Sequence, residues 1–115
     1  MAQVINARNQ KIVASVLERA DSFYGRLKGL LGRTELAAGH GLWLTATNSV
    51  HTYFMRFTID VAFLDKNDVV CGLVSNLKPF RLVLPVFSAR NCLELPAGTL
   101  VQTDTRKGDT LRVET

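Results

Sequence analysis

Short runs of apolar and β-branched residues recur along most of this chain, and each run is bounded by glycine, proline or small polar residues. Runs of this length are typical of strands, because an amphipathic helix needs a longer stretch with a different period. The pattern predicts about eight strands at intervals of roughly 8–15 residues. We therefore expect a mainly β protein, folded as a compact antiparallel β-sandwich or a distorted barrel.

The clearest pair of strands lies at the centre of the chain. Residues 59–64 and 69–74 are apolar runs separated by the polar residues 65–68, which predicts an antiparallel hairpin. Residues 99–103 follow a proline and glycine turn and are predicted as another strand. The remaining predicted strands cover residues 4–5, 11–17, 41–45, 81–86, 92–95 and 111–113.

One segment has the period of a helix instead. Its apolar residues Phe23, Leu27, Leu30 and Leu31 fall at i, i+4, i+7 and i+8, which places them on one helical face. Gly32 follows, and glycine suits the left-handed conformation that often ends a helix. We predict one short helix over about residues 22–32, packed on one side or end of the β-structure.

Length and composition indicate one domain, residues 1–115. The N-terminus lacks the basic and apolar blocks of a signal peptide, and no apolar run approaches the ~20 residues of a membrane span. A cytoplasmic location is therefore expected. Cys71 and Cys92 have no CxxC spacing, so each is expected to be a small apolar side chain rather than a disulfide partner.

The net charge is +4, and the basic residues are scattered along the sequence. This charge modestly favours acidic partners, but it is far from the dense basic stripe of a dedicated nucleic-acid-binding protein. We therefore expect nucleic acid to bind weakly at most, and in a salt-sensitive way.

The stretch SVHTYFMRFTIDVAFLD places charged groups where a small domain should build its core. Asp60 stands in a predicted strand whose two faces are both largely apolar, so its carboxylate should be buried. A buried carboxylate needs a donor. We predict that Asp60 is ionised and bonded to a cation or to backbone N–H groups, with Arg56 as the leading single candidate.

The same stretch carries the candidate site residues. His51, Thr52, Met55 and Arg56 combine unlike polar groups with aromatic neighbours, a composition typical of pockets, and are the predicted ligand-binding residues. The catalytic candidates are His51, Asp60 and Glu94, but they have no tight metal-ligand or nucleophile spacing. No metal and no cofactor is therefore predicted, and the glycines form no phosphate-binding loop.

An ordered set of motifs carries a family resemblance. RLKGLLGR, GLWL, the long central stretch, CLELPAGT and KGDTL together resemble the bacterial and archaeal family called domain of unknown function 192, over about residues 26–113. The resemblance implies a compact β-rich domain and no established reaction. Some relatives have a tryptophan-methionine-lysine-asparagine version of the central motif where this chain has Tyr53 to Phe57.

Three functional hypotheses follow. The first is a binding module with a pocket or groove around the motif from His51 to Asp60, which recognises a small molecule or a protein segment. The second is a metal-dependent hydrolase or nuclease that uses His51 with Asp60 or Glu94. The third is a weak nucleic-acid binder. The binding module is preferred because the chain lacks a tight catalytic spacing.

Overall fold

A computed structural model describes residues 2–20, 35–52 and 55–115. The described part is dominated by strands, which confirms the mainly β prediction, and its one helix is a single turn. The helix predicted over residues 22–32 lies outside the described residues. The elements are β1 (Gln3–Asn6), β2 (Ile12–Ala14), β3 (Val16–Ala20), β4 (His40–Thr45), β5 (Val50–His51), β6 (Ile59–Leu64), β7 (Val70–Leu77), β8 (Leu82–Val83), β9 (Asn91–Pro96), α1 (Thr99–Gln102) and β10 (Leu111–Glu114).

The strands form three sheets. A five-stranded sheet has the order β3-β4-β9-β6-β7, a three-stranded sheet has the order β10-β1-β2, and β5 pairs with β8 in a ribbon. The pairing of β3 with β4 is parallel, whereas the prediction had only antiparallel strands. A parallel pair needs a connection of a dozen or more residues, and residues 21–39 separate these strands.

The strand predicted over residues 11–17 is divided in the structure. Ser15 is exposed and stands between β2 and β3, which belong to different sheets. The backbone N–H groups of Ser15 and Val16 both donate to the Gly39 carbonyl, at 2.7 and 3.1 Å. This contact turns the chain from one sheet to the other, so one apolar run supplies two strands.

Both faces of the five-stranded sheet are covered. One face holds a cluster that includes Leu42, Leu44, Val61 and Phe63. The other face packs against the three-stranded sheet through a second cluster, which contains Trp43, Ala62, Leu64, Leu93, Leu95, Val4, Val13 and Leu111. All 6 residues of β6 are buried as a result, because β6 lies inside the sheet and contacts both clusters.

The strand predicted over residues 99–103 is wrong, because this segment forms α1. Gly98 precedes it with a φ of 92°, and the Thr103 hydroxyl donates to the Thr99 carbonyl at 2.8 Å. The β-branched residues favour a strand only weakly, and the tertiary contacts of Leu100, which is buried in the second cluster, override that preference. Within the described ranges, no helix has the length and apolar character needed to cross a membrane.

Candidate binding surface

Asp60 is fully buried, with 0% of its surface exposed, and each of its carboxylate oxygens accepts one backbone hydrogen bond. The Asn76 N–H donates to Oδ1 and the Leu100 N–H donates to Oδ2, both at 2.9 Å. The donor predicted for Asp60 is therefore a pair of backbone amides. Arg56 is exposed, and the bonds that Asp60 makes with described residues do not include it, so Arg56 was the wrong choice among the candidates.

These two bonds explain why an acid stands inside the apolar run. Ile59 pairs with Leu77 but Val61 pairs with Val74, so β7 has one extra residue opposite Asp60 and forms a bulge. Asn76 in this bulge has a φ of 55°, and Asp60 accepts its N–H. On the other side, the residue before α1 gives no side-chain cap, and Asp60 bonds an amide of the first helical turn instead.

Thr52 has a positioning role next to β5. Its side chain is buried; the hydroxyl donates to the Lys78 carbonyl at 2.6 Å and accepts the Arg81 N–H at 2.9 Å. The Thr52 N–H donates to the Arg81 carbonyl at 2.8 Å, and the Thr52 carbonyl accepts the Phe80 N–H at 2.9 Å. Thr52 therefore fixes the backbone of residues 78–81 against the central motif.

The pairing of β5 with β8 decides which side chains of this ribbon face outward. Val50 pairs with Val83 and His51 pairs with Leu82, and residues opposite each other in an antiparallel pair share a face. Val50 is buried and Val83 packs on the first cluster. His51 and Leu82 therefore point away from the core, and both are exposed.

The chain after β8 is held close to the sheet by backbone bonds. The Val86 N–H donates to the Asn48 carbonyl at 2.8 Å, and the Ala89 N–H donates to the Val86 carbonyl at 2.9 Å, which closes a turn over residues 86–89. The Arg90 N–H donates to the Leu64 carbonyl at 2.7 Å. Val86 packs over Gly72, where an added Cβ would lie 3.5 Å from its side chain, an ordinary van der Waals distance.

Large apolar side chains project from this segment. Leu82, Leu84 and Phe87 are 58%, 74% and 90% exposed, and we call these three residues the apolar tip. Leu82 lies in β8, whereas Leu84 and Phe87 follow it in the loop and the turn. Three exposed large apolar side chains within residues 82–87 form a patch rather than scattered surface residues. Phe87 lies inside the turn over residues 86–89, which presents its ring to solvent.

The charges around this segment have one sign. The sequence contains no Asp or Glu over residues 36–59 or 69–93. These two stretches meet where β5 pairs with β8. Their basic side chains are Arg56, Lys78, Arg81 and Arg90, and all are exposed. The surface is therefore positive in a protein whose net charge is only +4.

An open depression of about 250 Å³ lies at the edge of this surface, lined by Ala46, Asn48, Ala89 and Arg90. Two hydrogen bonds fix its walls: the Thr47 N–H donates to the Arg90 carbonyl at 3.0 Å, and the Ala46 N–H donates to the side-chain oxygen Oδ1 of Asn91 at 3.2 Å. We call the depression, the exposed basic residues and the β5–β8 ribbon together the binding face.

Backbone strain falls on the same face. Non-glycine residues with positive φ include Gln10, Asp68, Asn76 and Asp104, which are polar residues in turns or bulges. Ala46 and Phe80 also have positive φ, at 53° and 61°, and neither side chain gains a local hydrogen bond from this conformation. Strained backbone of this kind tends to cluster at functional sites.

The two acidic catalytic candidates are not brought together. Asp60 pairs with Leu95 and Val61 pairs with Glu94 across β6 and β9, so the two acids point from opposite faces of the same sheet. Glu94 is buried, and His51 lies on the separate ribbon. Over residues 2–20, 35–52 and 55–115, no group of three histidine, cysteine or acidic side chains could hold a metal ion.

Two further residues singled out in the sequence, Met55 and Cys92, are buried in the core. Met55 is 5% exposed and belongs to the first cluster, so it anchors the motif below Arg56. Cys92 is fully buried, and desolvation, with a smaller effect of Glu94, raises the pKa of its thiol well above the usual value. Cys92 therefore has the character of the small apolar residue that was expected.

Sequence reasoning did not find the apolar tip. Which of two alternating residues faces outward depends on strand pairing, and residues 82–87 are apolar at nearly every position. The absence of acids over residues 36–59 and 69–93 is a signal that the sequence does contain. It acquires meaning only when the two stretches are known to be adjacent.

The comparisons with known proteins agree on one family. The model of domain of unknown function 192, described as an uncharacterised conserved region, matches residues 4–113. UPF0127 protein PH1112 of Pyrococcus horikoshii is 36% identical over 96 residues, which is 81% of this chain and 83% of that protein. UPF0127 protein PF1050 of Pyrococcus furiosus is 33% identical over 111 residues, 94% of this chain and 95% of that protein.

Solved structures share the fold. A protein of unknown function from Novosphingobium aromaticivorans superposes with a TM-score of 0.82 at 20% identity, covering 96% of this chain and 82% of the other. A protein from Sinorhizobium meliloti also gives a TM-score of 0.82 at 20% identity, with 97% and 91% covered. The match over nearly its full length shows that this chain belongs to the domain of unknown function 192 family.

Proposed function

We propose that this protein is a binding module and that it recognises, at the binding face, a small molecule or protein segment with an anionic group next to an apolar one. The observation that supports this most is the combination of Arg56, Lys78, Arg81 and Arg90 with no acid in either of the two stretches that meet there. Exposed cations that form no ion pair among the described residues are available to an external anion.

The depression suits a single group rather than a whole ligand. Its volume of about 250 Å³ is below the range of enclosed ligand pockets, and it is open to solvent. A carboxylate or phosphate seated there would contact the Arg90 guanidinium, whose five N–H donors match oxyanions of this kind. The rest of the ligand would lie along the β5–β8 ribbon.

The predicted ligand-binding residues take different parts in this proposal. His51 and Arg56 are exposed and are the residues proposed to contact the ligand. Thr52 and Met55 are buried, so they act as positioning residues that hold the ribbon and the motif in place. A preorganised backbone reduces the ordering entropy that binding would otherwise have to overcome.

The test is a titration of the isotope-labelled chain followed by amide chemical shifts, with inorganic phosphate and a short peptide of alternating Glu and Leu as probes. We expect shifts in the amides of residues 46–52 and 80–91. Arg90→Ala should raise the peptide dissociation constant about tenfold, the value expected when one charge-assisted hydrogen bond is removed. Lys66→Ala removes the same charge from the turn between β6 and β7 and should change it less than about twofold.

Two results would contradict the proposal. Absence of localised shifts with either probe would show that the face binds no anion of this class. Equal losses in Arg90→Ala and Lys66→Ala would show that only the net charge attracts the peptide.

A further inference from the structure

The apolar tip is more than an anionic ligand requires. Leu82, Leu84 and Phe87 carry no group that an oxyanion could contact. Together with Phe80, they are the exposed large apolar side chains of residues 80–87. Val83 and Val86, which alternate with them, already pack on the core. Residues 82–87 therefore pack one set of side chains against the core and expose a second apolar set to solvent.

The tip is presented by a fixed backbone. Bonds from the Val86, Ala89 and Arg90 amides to the Asn48, Val86 and Leu64 carbonyls hold the chain on both sides of Phe87. Thr52 holds the residues before β8 in the same way. A rigid support lowers the entropy lost when the tip enters an apolar environment.

Shape and charge discriminate between the possible occupants. A second copy of the chain would set Lys78, Arg81 and Arg90 against the same cations, which is unfavourable. A protein partner that covered the apolar tip would have to offer a groove matching three side chains that are 58%, 74% and 90% exposed and stand out from the ribbon and the turn. A lipid interface accepts projecting apolar side chains, and its anionic headgroups attract the cations beside them.

We propose that the apolar tip inserts into the surface of a membrane that contains anionic phospholipid, with Lys78, Arg81 and Arg90 over the headgroups. This goes beyond the proposed ligand site, because it requires Leu84 and Phe87 but not the depression. The attachment is peripheral and reversible, since a few apolar side chains and a few cations resemble a single weak membrane anchor.

The experiment is flotation of the full chain with large unilamellar vesicles. Vesicles with about 30% phosphatidylglycerol in phosphatidylcholine should carry the protein up the gradient, and pure phosphatidylcholine should carry about tenfold less. Raising the salt concentration should weaken the binding, because surface charges are screened.

Point variants separate insertion from simple charge attraction. Phe87→Ser and Leu84→Ser should each lower partitioning about tenfold. Val101→Ser is the matched control, since Val101 is 75% exposed on α1 and outside the binding face, and it should change partitioning less than about twofold. All three positions are exposed, so the variants should keep the wild-type melting temperature.

A second measurement reports depth. Phe87→Trp places an indole at the tip, and its emission should shift to the blue with anionic vesicles and be quenched by brominated lipid. Trp43 is 4% exposed, and its emission in the wild-type protein supplies the background to be subtracted from that of the variant.

Absence of flotation, or flotation that Phe87→Ser and Val101→Ser reduce equally, would overturn the membrane proposal. Loss of peptide binding in Phe87→Ser without any vesicle binding would assign the tip to a protein partner instead. The two proposals fail separately, because Arg90→Ala tests the depression with soluble probes and Phe87→Ser tests the tip with vesicles.

Discussion

Replacing Asp60 with alanine should destabilise the protein by about 2–4 kcal/mol. The variant leaves the Leu100 N–H without an acceptor in a buried place, which costs about 1–3 kcal/mol. The Asn76 N–H loses its acceptor as well, but Asn76 is exposed and water can replace part of that bond, so its loss costs about 1 kcal/mol. Removal of the carboxylate also relieves its desolvation, and the cavity that alanine leaves offsets this gain, so the expected loss stays at about 2–4 kcal/mol.

The assay is urea unfolding of the wild type and the variant, followed by circular dichroism. Asp65→Ala is the matched control, since Asp65 Oδ1 also accepts two backbone N–H groups, those of Asn67 and Val69, but in a half-buried turn. Water can reach that turn, and the expected loss is below about 1 kcal/mol. In thermal melts the Asp60→Ala loss should appear as a decrease of roughly 8–16 °C.

Comparing the stability losses of these variants tests whether burial makes the Asp60 bonds important. If Asp60→Ala costs no more than Asp65→Ala, burial does not make the two backbone bonds important. Arg56→Ala should change the free energy of unfolding by less than about 0.5 kcal/mol, because its exposed side chain is not the donor to Asp60. A loss in Arg56→Ala as large as that in Asp60→Ala would show that the two side chains act together after all.

Two further predictions concern other parts of the fold. A side-chain hydrogen bond from Arg8, followed in effect by one from Asn6, lowers the pKa of Asp109 from 3.8 to about 2. The stability that this lowered pKa adds is complete above about pH 4 and is lost as the pH falls through about 2. In urea titrations, the difference in unfolding free energy between wild type and Asp109→Asn should therefore shrink over that range. A difference that stays constant would contradict this prediction. Ala46→Gly should stabilise the protein by about 0.5 kcal/mol, since relief of the left-handed conformation outweighs the added freedom of the unfolded chain, and a lower urea midpoint would refute this.

The sequence was most informative where a local pattern and the fold agree. The strand predicted over residues 59–64 has those bounds in the structure, because turn residues follow it directly and both of its faces are buried. The turn over residues 65–68 and the antiparallel return strand were predicted for the same reason. The burial of Asp60 followed from its apolar neighbours on both faces of the strand.

The partners of these elements depended on contacts between residues far apart in the sequence. Asp60 bonds Asn76 because of a bulge in β7, and it bonds Leu100 because the segment after β9 folds into α1 rather than a strand. Neither the bulge in β7 nor the single turn of α1 has a local sequence pattern stronger than that of an ordinary strand. Arg56 was the nearest cation in the sequence, but backbone amides from other elements occupy both carboxylate oxygens.

The same division holds for the candidate site. The sequence alone determined a mainly β fold, a polar central motif and a modest positive charge, since these depend on residue type and local period. Only the tertiary structure decided that β5 pairs with β8, which buries Val50, packs Val83 against the core and turns His51 and Leu82 outward. The physical reason is that strand pairing selects one of two alternating faces, and the side chains of residues 82–87 are too uniformly apolar to show which face lies outside.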